Sequence, residues 1–389
     1  MRVGISTSVI QRGTTGIAQY VFALLRALLP HAQQHQFTLF VLQDDLPLFQ
    51  FIAPSMQVVP VSEEFRPAVA NILWHQRVMP GLARQLGLDL LHVPSYRRML
   101  WPRPCPMVAT IHDLAAFHVH KKYDWKRMLY GRVAVRYLAR RQHAIIAISR
   151  NTARDIQHFF KLPPDRIAIV HNGIDHGRFF PGCRADAREQ VRLRHRLAKP
   201  YALYVARLEH PAKNHLRLIT AFEQFKDSSR LPWQLVLAGS DWHGADEIHR
   251  AINRSHWSRD ILPLGFVPDD QLPDLYRAAE VFVYPSLYEG FGMPPLEAMA
   301  CDCPVISSGQ GSLAEVLGEA AWIIQPQDPS AIAESLCAIA SDEKLAARLR
   351  QAGRAQARQF DWARTAAQTL KTYEHACNCT FRSAAVEIR

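Results

Sequence analysis

No run of roughly 18 or more apolar residues occurs in the chain, so no segment is long enough to span a bilayer as a helix. The opening MRVGISTSVI lacks an apolar core followed by a small-residue cleavage site, so no signal peptide is expected. Cysteine is scarce and unpatterned. There are seven, an odd number, and the close neighbours Cys301/Cys303 and Cys377/Cys379 do not have zinc-site spacing. Reduced thiols in a cytoplasmic protein are the expectation. The Gly-x-Gly-x-x-Gly dinucleotide fingerprint is missing after the first strand, and no repeat of solenoid period is present. Acidic residues number 35 against 46 basic ones, a net charge of +11, which favours anionic partners such as nucleotide phosphates, a lipid diphosphate or an acidic membrane surface. No recognised nucleic-acid module accompanies that charge, so no nucleic-acid partner is expected.

What is present describes a folded two-domain α/β chain. A length of 389 residues predicts two domains, and 48% hydrophobic residues suffice to fill two cores. The most informative stretch is Val281 to Ser307, VFVYPS-LYEGFGM-PPLEAMACD-CPVISS. It reads as a buried strand, a glycine-broken loop, a helix opened by Pro294 and Pro295, and a second strand. Glu289 and Glu297 bracket the loop with seven residues between them. Gly290 and Gly292 let a ligand approach bare backbone, and the helix start offers N–H groups and partial positive charge to a phosphate. Carboxylates accept hydroxyls, as sugars and riboses present. The site therefore has the acceptors and donors that a nucleotide sugar needs. The plainer alternative is a solvated Glu289 and a Glu297 that only complements the helix dipole.

SLYEGFGMPPLEAMACDCPVISS resembles the Glu-x7-Glu signature of retaining glycosyltransferases of family 4, which have the GT-B fold. The resemblance implies that Glu289 holds donor-sugar hydroxyls, Glu297 holds the ribose, and N–H groups at Phe291, Gly292 and Met293 face the diphosphate.

Other segments place further candidates. Arg2 to Thr7 is a strand, Ser8 to Gly16 a loop and Ile17 to Leu29 a helix, the opening unit of a doubly wound domain. Gly16 either eases a turn or, as the resemblance implies, gives its N–H to the donor phosphate or the acceptor. Val108 to Ile111 is a strand ending at His112-Asp113, where an open α/β sheet carries its chemistry. A structural role is the alternative for His112; the resemblance implies the active-site histidine near the anomeric centre. His118 and His120 follow, and a metal triad is not expected there, because no carboxylate has matching spacing. KKYDWKRMLYGRVAVRYLARR, Lys121 to Arg141, gathers Lys126, Arg132, Arg136, Arg140 and Arg141 on one half of a helical wheel. Met128, Ala134, Val135, Leu138 and Ala139 fall on the other half, while Leu129 and Val133 break the pattern. The segment either docks on anionic lipid headgroups or is a solvated face over a packed helix.

IAISRNTARDI…IAIVHNGID also matches the family and closes the first domain. Phe180 to Pro200 is Arg-rich and without strand signal, and the domain boundary is placed there. In YALYVARLEHPAKNHLRLITAF, Arg207 and Lys213 stand before a helix, where two cations suit a diphosphate leaving group. The resemblance implies that role for both, with a gap one residue longer than usual through His210-Pro211-Ala212. Gly239 turns the chain after Gln234 to Ala238, and Phe266 and Val267 follow the strand at Ile261, where the family holds the nucleotide base. Core packing is the alternative for both.

The expectation is thus two doubly wound Rossmann-like domains, 1–182 and 183–360, facing a cleft. A helix from 361 crosses back and a fraying tail ends at 389. Metal-independent, cofactor-free retaining transfer is expected. LYEGFGMPPLEAMA, with Trp242 after the Gly239 turn, looks most like the branch that uses GDP-mannose in O-antigen or exopolysaccharide synthesis on a lipid-linked saccharide acceptor. A UDP-sugar donor is the alternative. A GT-B sugar-nucleotide epimerase and a non-catalytic binder of anionic lipid are the competing classes. A glycosidase acid/base pair at Glu289 and Glu297 is disfavoured by the phosphate-binding surroundings.

Overall fold

In the computed structural model, residues 1–118 and 131–386 are described. His120 and the 121–130 part of the basic segment lie outside them. The described chain divides into two compact units: 1–114, 131–173 and 362–386 form one, and 115–118 with 174–361 form the other.

The first unit is a seven-stranded parallel sheet, ordered β3-β2-β1-β4-β5-β6-β7. Its strands are β1 (Arg2–Ser6), β2 (Gln36–Leu42), β3 (Gln57–Val61), β4 (Leu90–Val93), β5 (Met107–Ile111), β6 (Ala144–Ala147) and β7 (Ile167–Ile169). The second is a six-stranded parallel sheet, ordered β10-β9-β8-β11-β12-β13. It is built from β8 (Tyr201–Val205), β9 (Gln234–Ala238), β10 (Ile261–Gly265), β11 (Val281–Tyr284), β12 (Val305–Ser308) and β13 (Trp322–Ile324). Central strands such as AIIA and VFVY are apolar at every position because helices cover both faces of a parallel sheet. Each order reverses direction once, between β1 and β4 and between β8 and β11. Ligands of open α/β sheets bind beyond the carboxyl ends of strands at such switch points.

Three elements differ from the sequence reading. Phe180 to Pro200 contains a regular helix, Arg184–His195, whose Ala187 and Val191 are buried; polar residues on its remaining faces hid the short apolar stripe. The units divide at Gly173 and Ile174, ahead of that stretch. There Ile174 bridges Asp361 and its N–H bonds the Phe360 carbonyl, so the two passages of the chain meet. The last helix runs Trp362–Val386, so it takes in most of the stretch expected as a fraying tail. Its Ala366, Leu370, Tyr373 and Ala376 are buried in the core of the first unit with Ala18 and Val21 of the helix Gly16–Leu28.

Among the described residues no helix is long and apolar enough to cross a membrane. No cluster of three or more His, Cys, Asp or Glu there is placed to hold a metal ion.

Candidate functional site

In the second unit, β8 and β11 end side by side at the switch point. The loop after β8 carries Arg207 and Lys213 and opens the helix His215–Ser229. The loop after β11 carries Glu289 to Gly292 and opens the helix Met293–Ala300. Residues far apart in sequence are thereby delivered to one edge.

Gly292 is the cap of that second helix at φ +98°, and a Cβ there would lie 2.5 Å from Leu313 Cδ2. Only glycine fits such a position. No side chain caps the helix. Pro294 and Pro295 have no N–H, so of the four donors a helix start leaves open, only those of Gly292 and Met293 remain. The twin prolines thus narrow the helix start to two adjacent donors.

Lys213 Nζ donates to Glu289 Oε1 at 2.6 Å, and the Tyr284 hydroxyl donates to the same oxygen at 3.0 Å. The pair is mostly buried, with side-chain exposures of 19% and 14%. Burial opposes the Lys213 charge, but Glu289 beside it outweighs that and raises its pKa above the ordinary lysine value. Lys213 is therefore a fixed cation with two N–H groups still to give, and Glu289 keeps Oε2 for a ligand. Tyr204 donates to the Lys213 carbonyl at 2.7 Å, and Asn214 Nδ2 donates to the carbonyls of Pro285 and Pro326, tying the two loops together. From the loop after β12, the Ser312 N–H and hydroxyl both reach the Glu289 carbonyl at 3.0 Å. Gly311, at φ +66°, lies so close that a Cβ would stand 2.3 Å from that carbonyl. Gly311→Ala is expected to displace Glu289 and to lower the melting temperature by several degrees, from about 1 kcal/mol of backbone strain plus the clash. Differential scanning calorimetry measures this, and an unchanged melting temperature would contradict it.

Glu297 is held differently. The Tyr276 hydroxyl donates to its Oε2 at 2.9 Å. Burial pushes its pKa up to about 7; the Arg178 charge and the Tyr276 bond pull the other way, and Asp269 adds to the rise. Arg178 also faces Asp269 at 3.7 Å.

The remaining candidates separate clearly. The Arg207 guanidinium lies 4.5 Å above the Trp242 ring and 3.6 Å from Glu209, and makes no ion pair with Glu289. Gly239 is explained by packing: a Cβ would stand 2.0 Å from the Ala206 carbonyl, and its N–H bonds the Gly265 carbonyl at 2.8 Å. Val267 is buried at 6%, whereas Phe266 is 67% exposed, so packing accounts for the first and not the second. The Phe291 ring meets Phe360 edge-on at 5.6 Å, which fixes the loop bearing its N–H. His118 stacks on Tyr288, the neighbour of Glu289, at 4.5 Å.

In the first unit, His112 directly follows β5. Its Nε2 donates to the Pro94 carbonyl at 3.1 Å, which leaves the lone pair on Nδ1. Burial lowers its pKa, offset in part by that bond and by Asp113, so the ring is neutral near pH 7. Gly16 begins its helix after Thr15, which caps it by accepting from the Ala18 N–H. A Cβ at Gly16 would meet nothing within 4 Å, so the fold itself does not require glycine there.

Sequence reasoning passed over Tyr284, Tyr276, Tyr204, Gly311 and Ser312. The tyrosines read as strand or helix core residues. Only the Gly-Gln-Gly-Ser turn after β12 carried a local signal, two glycines beside a hydroxyl.

Comparison with known proteins gives two family models in succession: Glycosyltransferase Family 4 over residues 14–178 and Glycosyl transferases group 1 over residues 186–356. An O-antigen chain mannosyltransferase B of Escherichia coli is 28% identical, with 96% of this chain and all of that protein aligned. A D-inositol 3-phosphate glycosyltransferase of Corynebacterium efficiens is 30% identical over 72% of this chain and 67% of that protein. Among solved structures, a sucrose-phosphate synthase from Thermosynechococcus elongatus superposes with a TM-score of 0.78 at 22% identity, covering 96% of this chain and 98% of the other.

Proposed function

The chain belongs to glycosyltransferase family 4 and has the GT-B fold of two Rossmann-like domains; from that premise we propose that it transfers mannose from GDP-mannose, with retention, to a lipid-linked saccharide in cell-surface glycan synthesis. The observation that carries the reading is the Lys213–Glu289 pair at the β8/β11 switch point, beside the helix start with donors on Gly292 and Met293. Lys213 and those N–H groups take up charge on the departing diphosphate, and Arg207 swings from Trp242 to join them. Glu289, through its second oxygen, holds donor-sugar hydroxyls, and Glu297 holds the ribose. Exposed Phe266 stands beside the base. His112, neutral, contacts the donor sugar, and Gly16 offers its N–H to the donor phosphate or the acceptor. The leaving phosphate receives the acceptor's proton, so no carboxylate nucleophile, metal or cofactor is assigned. The O-antigen relative, aligned over its whole length, supports mannose as the sugar.

A basic face supports a lipid-linked acceptor. Exposed Trp101, Val133 and Tyr137 stand among Arg103, Arg140 and Arg141, with the Arg141 guanidinium against both the Tyr137 and Trp101 rings. Cations interleaved with exposed aromatics suit the headgroup region of an anionic membrane. Val135 and Ala139 of the same segment are core residues, so contact would run through exposed Tyr137 and through Val133, a position that breaks the helical pattern.

The test is a panel of nucleotide sugars read by thermal shift and nucleotide release, with and without a lipid-linked saccharide. GDP-mannose is expected to raise the melting temperature most, since saturation at a hundredfold over Kd adds about 2.7 kcal/mol, and to release GDP when acceptor is present. A larger response to UDP-glucose would reassign the donor. An altered free donor without acceptor would make the protein an epimerase. Vesicle binding with no donor cleavage would make it a non-catalytic lipid binder.

A further inference from the structure

His112 is the group of the first unit to which the proposed reaction assigns the donor sugar, and one hydrogen bond, Nε2 to Pro94, cannot fix an imidazole against rotation about that axis. The other restraint comes from Tyr20, on the helix Gly16–Leu28. Its ring meets the His112 ring edge-on, with centroids 4.7 Å apart and planes at 81°. Tyr20 is 3% exposed and is itself held at both ends. Its hydroxyl bonds Thr110 Oγ1 at 3.2 Å, two residues before His112 on β5. Its ring meets Trp362 edge-on at 5.9 Å.

Behind Thr110 the bonds continue. His92 Nε2 lies 2.8 Å from Thr110 Oγ1, and the Tyr373 hydroxyl lies 2.7 Å from His92 Nδ1. Burial pushes the His92 pKa down to about 3 and that of the Tyr20 phenol up to about 12, so each keeps its proton arrangement across the working pH range. The relay is continuous in either His92 tautomer: with the proton on Nε2, Tyr373 donates to His92 and His92 to Thr110; with it on Nδ1, Thr110 donates to His92 and His92 to Tyr373; in both, one bond joins Thr110 to Tyr20. Trp362 and Tyr373 both belong to the helix Trp362–Val386, and Trp362 is the residue at which the chain re-enters the first unit.

We propose that Tyr20 is a positioning residue for His112, clamped between β5 and the returning helix by Trp362 and by the Thr110–His92–Tyr373 relay. A core tyrosine needs none of this: filling the space would be served equally by phenylalanine, and the edge-on contact with a strand-end histidine would be incidental. The inference rests on the role given to His112 above. It adds that the C-terminal helix, remote in sequence, sets the imidazole orientation on which the chemical step depends.

The experiment compares full-length Tyr20→Phe, Tyr20→Leu and Trp362→Leu with the wild type. It uses steady-state transfer from the donor that the panel identifies and histidine-labelled NMR of the His112 ring. Tyr20→Leu is expected to lower kcat by 10- to 100-fold with donor KM within about threefold, and to move the His112 imidazole resonances. Tyr20→Phe keeps the edge-on ring and is expected to lose less than Tyr20→Leu. Trp362→Leu, at a partly exposed helix start, is expected to lower kcat severalfold and to move the same resonances; it serves where Tyr20→Leu fails to fold. Wild-type kcat in Trp362→Leu together with unmoved His112 resonances would overturn the proposal, as would a loss confined to KM. Failure of the wild type to transfer any sugar would instead reject the proposed reaction, and the two failures are separable in one assay series.

Discussion

Lys213→Met is expected to lower kcat for sugar transfer by about 10²–10³-fold, the magnitude associated with removing one preorganised group that stabilises charge developing on a leaving oxygen. Two observations give the expectation its size. Lys213 is mostly buried and its charge is secured by Glu289 at 2.6 Å, so it takes up leaving-group charge without first reorganising water. Its backbone is also fixed, by Tyr204 at its carbonyl and Asn214 next in the chain. The substitution leaves Glu289 with Tyr284 alone. A carboxylate deprived of its cation in a largely buried place costs stability, here about 1–3 kcal/mol given its partial exposure. The variant should therefore melt earlier yet remain folded at 25 °C. Lys213→Arg should not restore activity, since the planar fork cannot occupy the point-charge position between Glu289 and the helix start. Turnover of Lys213→Met within threefold of wild type, measured on a sample whose circular dichroism matches wild type, would remove Lys213 from the mechanism. Glu289→Gln separates the charge from the hydrogen bonds. It keeps a side chain that can bond sugar hydroxyls but no longer holds Lys213 charged, and it should lose most of kcat and less of the donor affinity.

Donor affinity should rise about tenfold between pH 6 and pH 8, through the titration of Glu297. Its carboxyl is pushed up to about 7 by burial, so the empty protein holds it largely protonated at pH 6 and largely ionised at pH 8. Ribose hydroxyls are donors, and the ionised form accepts both, whereas the protonated form presents a competing O–H. Binding thus favours the ionised site. The stability of the unliganded protein runs the opposite way. The folded pKa lies above the unfolded one, so the folded chain binds the extra proton. The contribution of Glu297 is fully present below the unfolded value of 4.5 and is lost as pH rises through about 7. Burial lowers the His112 pKa, so its titration moves toward the acid side of this window. Glu297→Gln should abolish both trends: stability no longer falls toward pH 8, and donor binding at pH 8 weakens by about 10- to 100-fold, as loss of a charged acceptor predicts. Isothermal titration across pH, alongside thermal melts of the unliganded protein, reads both. Parallel rather than opposite trends would refute the assignment of Glu297 to the ribose.

The chain's own pattern determined a great deal. Parallel strands are buried on both faces, so runs such as AIIA, YALYV and VFVY stand out without any tertiary knowledge. The glycines and prolines from Gly290 to Pro295 mark a helix start without a side-chain cap because backbone geometry is local: a positive φ or a missing N–H belongs to the residue itself. The candidate residues Glu289, Glu297, Lys213 and His112 were legible for the same reason, each standing at the end of a recognisable strand or the beginning of a helix.

What the tertiary structure alone decided is which of them meet. Lys213 and Glu289 lie 76 positions apart and form one charged unit because β8 and β11 are neighbours in the sheet, an order that no local pattern encodes. Three tyrosines that periodicity treats as core, Tyr276, Tyr284 and Tyr20, turn out to spend their hydroxyls on Glu297, Glu289 and Thr110. Apolar rings and polar tips share one side chain, and a pattern of hydrophobicity registers only the ring. The helix Arg184–His195 was hidden by a composition dominated by its solvated faces. Pairing, burial and the pKa values that follow from them are properties of neighbours in space, and strand order is what sets those neighbours.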